Sequence, residues 1–180
     1  MTNYSTRKTY SSETPVFETK STANDSNRVP ANQAEPSEMF FEIIDFLKER
    51  YTLNKSVLII KNENTVLSAI STWSYGVRQD GLTLNLPHQE LLFERVLDDG
   101  RLYAEFFIGS FSGNFFERKL LLDEESRSFA LQPLKSDGKV VGLVGFSSKN
   151  PTAFALMEEG DSSDIFNLFA ERLLKQKQSV

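Results

Sequence analysis

The stretch Phe129–Ser148, FALQPLKSDGKVVGLVGFSS, decides the fold. Phe129 to Lys135 and Val140 to Ser148 are two runs rich in β-branched and apolar residues, and the Ser136-Asp137-Gly138 turn between them is the type that closes a tight antiparallel pair. Gly142 and Gly145 in the second run leave room for helices to approach the sheet closely. A strand pair apolar on both faces needs cover on both, so helices are expected above and below it.

Working upstream, Ser56–Lys61 (SVLIIK) and Thr65–Tyr75 (TVLSAISTWSY) flank Asn62-Glu63-Asn64 and read as a second hairpin. Constant alternation in the second strand sends Leu67, Ala69, Trp73 and Tyr75 to one face, and Val66 and Ile70 to the other. Before this hairpin, Phe40, Ile43, Ile44, Leu47 and Tyr51 keep the spacing of one helical face, with Ser37 after Pro36 as the expected N-cap. Met39, Phe41 and Phe46 widen that stripe, which fits either a deeply buried helix or one that meets a second chain. Between the hairpins, Pro87 opens a helix in which Leu92, Phe93, Val96 and Leu97 share a face and Gly100 stands at the C-terminal cap. Arg101–Ile108 reads as a strand, GSFSGN as a loop and FFERKLLL as a short helix. After the decisive hairpin, Asp161–Ser163 cap a closing helix with Ile165, Phe166, Phe169 and Leu173 on one face. The expectation is an α+β fold: a mainly antiparallel sheet with helices against both faces.

Composition narrows the chemistry. A formal charge of −5 and the absence of any basic field oppose attraction to nucleic acid or anionic lipid. With zero cysteines, disulfides, thiolate metal sites and thiol catalysis are all excluded. No apolar run reaches the roughly 20 residues of a spanning helix and no signal-peptide centre appears, so a cytoplasmic location is expected. Residues 1–36 are rich in Ser, Thr and Asn, with few apolar residues, and read as a disordered tail, either simply solvated or a docking or phosphorylation segment. Residues 37–176 form the expected folded domain, followed by a short tail over 177–180.

LQPLKSDGKVVGLVGFSS, then NPTAF and DIFNLFAERLL, resembles the C-terminal half of GAF domains in Pro133, Gly138, Gly142, Phe154, Phe169 and Ala170. SVLIIKNENTVLSAISTWSY is similar to their first hairpin, and PAS and profilin-like domains share the pattern. The resemblance implies a five- or six-stranded antiparallel sheet, first and last helices together on one face, and short helices and loops over a pocket on the other. It also implies regulatory binding of a small molecule, or a dimerising module without one. Bilin-attaching and methionine-sulfoxide-reducing members use cysteine, which is missing here. The cyclic-nucleotide motif is also missing: Phe116 is separated from Asp123-Glu124 by six residues, and Asn54-Lys55 precede the expected first strand.

No catalytic constellation emerges, and no cofactor or metal site is expected. His88, the one histidine, follows Pro87 at a helix start and reads as a solvated residue, not a haem ligand. The pairs Asp98-Asp99, Glu124-Glu125 and Glu158-Glu159 are adjacent and read as solvated faces; Gly109–Gly113 has Phe111 where a nucleophile elbow needs serine. Trp73, Tyr75, Phe107, Phe111, Phe115 and Phe116 fall on segments that surround the pocket in GAF-like proteins, where they either line a ligand cleft or fill it. Phe40, Phe41, Ile44, Phe166, Phe169 and Leu173 are the candidates for a homodimer interface. The functional expectation is a non-catalytic sensory or regulatory module that dimerises and controls an effector on another polypeptide, or a ligand-free scaffold whose tail recruits a partner.

Overall fold

The computed structural model of the chain describes residues 36–62, 64–87, 91–157 and 163–178. Residues 1–35 of the expected N-terminal tail, His88, Glu158-Glu159 and the expected cap residues Asp161 and Ser162 lie outside them, whereas Pro36, expected in the tail, opens the first helix.

The elements run α1 (Pro36–Leu47), β1 (Leu53–Lys61), β2 (Leu67–Ser74), β3 (Val77–Gln79), β4 (Leu84–Asn85), α2 (Leu92–Asp99), β5 (Tyr103–Glu105), α3 (Phe115–Leu121), β6 (Ser128–Ser136), β7 (Lys139–Ser148) and α4 (Ser163–Gln178). They build one seven-stranded antiparallel sheet in the order β3-β2-β1-β7-β6-β5, with β4 also paired to β2. The fold is α+β, as expected, with two short strands more than the smaller strand count anticipated.

The β6–β7 turn has Asp137 at φ 49° and Gly138 at φ 73°. Two left-handed residues in succession match the right-handed twist of the flanking strands, which is why Asp-Gly closes this pair. Gly100 caps α2 at φ 65°, its N–H donating to the Val96 carbonyl. The expected strand over Arg101–Ile108 shrinks to three residues, because Phe107 takes φ 52° and leaves the extended region. Ser37 does something other than the expected capping: it is buried, and its hydroxyl lies 2.7 Å from that of Ser71 on β2.

The two sheet faces carry separate cores. Buried residues of α1 and α4 pack on Leu58, Trp73, Ala130, Val144 and Phe146. On the opposite face, α2 and α3 cover Val57, Ile59, Leu67, Ala69, Leu131 and Leu143. Trp73 corrects the uniform alternation expected along β2. Leu58 pairs with Ser71 but Ile59 pairs with Ala69, so Ile70 is an extra residue. Such a bulge reverses the facing of everything beyond it. Leu67 and Ala69 therefore lie under α2, whereas Trp73 lies under α1.

Candidate functional site

The sheet face beneath α2 and α3 is where a ligand cleft was expected. Leu92, Phe93, Val96 and Leu97 recur with helical spacing and all turn inward, with Phe93 fully buried. Phe129 on β6 meets the rings of Tyr103 at 5.9 Å and Phe111 at 5.4 Å. At Gly145 an added Cβ would come within 2.9 Å of Leu121 and 3.1 Å of Val57, so α3 rests directly on the strand. Aliphatic and aromatic side chains thus interlock across this layer.

The six aromatic candidates do not gather in it. Trp73 is on the other face for the reason given, and Phe111 is half-buried against Phe129. Tyr75, Phe107, Phe115 and Phe116 are 49%, 70%, 64% and 51% exposed. Phe115 and Phe116 open α3 with their rings edge to face at 5.9 Å, and the Lys119 ammonium lies 5.4 Å from the Phe115 ring centre. The six interface candidates are brought together, but inside the chain: Phe40, Phe41, Ile44, Phe166, Phe169 and Leu173 are all buried in the core under α1 and α4. On those helices Phe46 and Leu168 are the large apolar side chains left exposed.

Two polar arrangements escaped the sequence reading. The first surrounds Asn54, which is fully buried within β1, so that Asn54-Lys55 belong to the first strand and do not precede it. Its Nδ2 donates to Asp123 Oδ1 at 2.9 Å and to Ser126 Oγ at 3.0 Å, and its Oδ1 accepts from Ser147 Oγ at 3.1 Å. Above it, Tyr75 sits in the β2–β3 turn at φ 47°, donates to Glu125 Oε2 at 2.6 Å, and lies under Lys149, which is itself 2.7 Å from Glu125. Burial opposes ionisation of Asp123, yet the neighbouring Tyr75 hydroxyl and the hydrogen bonds from Ser126, the Glu125 N–H and Asn54 prevail and hold its carboxyl below the usual range. Burial lowers the Lys55 ammonium, which Asp123 partly restores; its Nζ caps α3 by donating to the Lys119 and Leu122 carbonyls at 2.7 and 3.2 Å.

Desolvation and then the bond to Glu125 raise the Tyr75 phenol to about 12. A neutral phenol favoured by the native state contributes stability that is complete below its unfolded value of about 10 and is lost as pH rises through the folded value. Ultraviolet phenolate titration of the parent should therefore show a phenol ionising near 12 that is missing from Tyr75→Phe. Identical titrations would contradict the assignment.

The second arrangement centres on Glu117, fully buried at the third position of α3. Its side chain accepts from the Asn114 N–H at 2.9 Å while Asn114 Oδ1 accepts from the Glu117 N–H at 3.0 Å, a reciprocal capping box. The same carboxylate accepts from the Leu92 and Phe93 N–H groups at 3.0 and 2.6 Å. The pattern Asn114-x-x-Glu117 was the signal available in the sequence.

Among the described residues no group of three His, Asp or Glu side chains is placed to hold a metal, and no helix is long and apolar enough to cross a membrane.

No protein-family model matches the sequence. None of the curated proteins matches it either. The three-dimensional arrangement does have counterparts. The GAF domain of a two-component sensor histidine kinase from Bacillus halodurans superposes with a TM-score of 0.60 at 17% identity, over 79% of this chain and 95% of that one. The fold is that of a GAF domain. A second GAF domain, from an Acinetobacter phosphoenolpyruvate-protein phosphotransferase, gives 0.59 at 12% identity over 81% and 86% of the two chains. The GAF fold also extends to an enzyme: a type II free methionine-R-sulfoxide reductase from Thermoplasma acidophilum gives 0.58 at 15% identity over 78% and 93%. The fold alone therefore does not separate a binding module from a catalyst.

Proposed function

We propose that this chain is a cytoplasmic regulatory module with a GAF fold that acts through protein contacts, with no small molecule held between the sheet and α2 and α3. The observation that carries this reading is the filling of that face by Phe93, Leu97, Phe129, Leu131 and Leu143, all nearly or fully buried against one another. Four of the six aromatic side chains that would line a cleft are instead on the surface, where aromatic rings are typical contact residues of a partner interface.

A ligand-sensing reading would need those rings to converge. They are divided between two sheet faces and the solvent. Catalysis is disfavoured by residue supply: the chain has no cysteine, the described acidic pairs Asp98-Asp99 and Glu124-Glu125 are exposed, and the buried Asn54 group spends its hydrogen bonds internally. Self-association belongs to the same proposal, through the outer sides of α1 and α4 where Phe46 and Leu168 remain exposed. The resulting assembly would pass its state to an effector protein.

A ligand that binds only the native state raises the unfolding midpoint by mass action. Nucleotides, haem and tetrapyrroles added to the full chain are expected to leave its midpoint unchanged, and a saturable rise with any of them would overturn the ligand-free reading. Sedimentation should give a dimer for the parent and a monomer for Phe46→Glu with Leu168→Glu; a monomeric parent would remove self-association from the proposal.

A further inference from the structure

Helix α2 begins without a local cap. Leu91 precedes it and supplies no side-chain hydrogen bond. The first amides of a helix point outward with no intrahelical acceptor and carry the positive end of its dipole, an arrangement that favours anions. Here an anion is already in place. Glu117 reaches from α3 across 24 residues of sequence, with Oε1 accepting from Phe93 N–H and Oε2 from Leu92 N–H. Asn114 N–H supplies a third donor to Oε2, and the whole side chain is sealed from solvent. The loop before α3 closes on it: a Cβ at Gly113 would run into Glu117 Oε2 and come within 2.5 Å of the Phe111 ring.

We infer that Glu117 is a built-in ligand: the N-terminus of α2 is an anion-binding site that the chain fills with its own carboxylate, holding α2 and α3 together on the sheet without a small molecule. The inference rests on the ligand-free reading above and gives it a cause. Other devices join two helices, but few leave a site of defined chemistry when removed. Excising the carboxylate creates a buried space lined by three N–H donors, which suits a small carboxylate ion and not its neutral amide.

The test uses the full chain and acetate, which replaces the atoms that Glu117→Ala removes beyond Cβ, with acetamide as the neutral control. Acetate should raise the thermal midpoint of Glu117→Ala saturably, or induce its folding where the variant is unfolded. Acetamide should not, and the parent and Glu117→Gln, whose sites remain filled, should not respond to either. An equal response of parent and Glu117→Ala to acetate, or none in Glu117→Ala, overturns the inference. An independent readout comes from Glu117→Gln, in which a neutral acceptor should speed amide exchange at Leu92 and Phe93 roughly tenfold relative to the rest of α2. Unchanged exchange there also overturns it. A small molecule found on the parent protein would defeat the ligand-free reading while leaving these variant results standing, so the two failures are distinguishable.

Discussion

Asn54→Ala is expected to lower the unfolding free energy by about 3 kcal/mol, since each buried group left without its partner costs about 1–3 kcal/mol. Asn54 is fully buried, and its amide joins β1, β7 and the α3–β6 connection. Alanine removes the acceptor for the fully buried Ser147 hydroxyl and the donor for Asp123 and Ser126 in one step. Asp123 is partly accessible and regains water, so the orphaned Ser147 and the vacated space carry most of the loss. For a domain whose total stability is of order 5–15 kcal/mol, this is a large fraction. Calorimetry should show the midpoint falling by roughly 6–12 °C. A midpoint within about one degree of the parent's, the scatter expected of a neutral surface change, would show that the network contributes little.

Gly142→Ala should cost as much or more, through backbone and not through polar groups. Gly142 is paired with Ile60 between the two central strands β1 and β7. A Cβ there would run into the Ile59 carbonyl oxygen and lie 3.3 Å from Ile60 Cα. Both obstacles are main chain, so no rotamer change relieves them, and the strands must separate along a ladder that both cores lean on. A loss of about 3 kcal/mol or more is expected, at the upper end of what inserting a methyl group into a packed interior costs. Gly109→Ala supplies the control, because its added Cβ meets nothing within 4 Å. It should stay within about 0.5 kcal/mol in urea denaturation. Equal midpoints for the two variants would refute the close-approach account.

Both sites show what could be read along the chain and what could not. The β6–β7 hairpin was legible because Asp137-Gly138 specifies a turn by local backbone preference alone. The apolar stripes of α1, α2 and α4 and the Gly100 cap of α2 were legible because helical periodicity and a left-handed glycine are local as well. The face assignment of Trp73 was not, since one extra residue at Ile70 reverses the alternation, and a bulge leaves no mark in a run of β-formers. Phe107 likewise gave no warning that it would turn left-handed and end β5 early. The stripe on α1 and α4 was real, but periodicity reports only that a face is covered. It cannot say whether the cover is this chain or another, and here the chain itself covers Phe40, Phe41, Ile44, Phe166, Phe169 and Leu173. The Glu117 contacts were half legible: the capping box with Asn114 is a local four-residue pattern, whereas the bonds to Leu92 and Phe93 exist only once α2 and α3 have met on the sheet.

The claim that ties these observations together is that the layer beneath α2 and α3 is complete without a small molecule. Native mass spectrometry of the full chain, purified from its host without added metabolites, tests this most directly. The account predicts the mass of the bare polypeptide or a whole-number multiple of it. A stoichiometric adduct that survives gentle ionisation and departs on denaturation would contradict it.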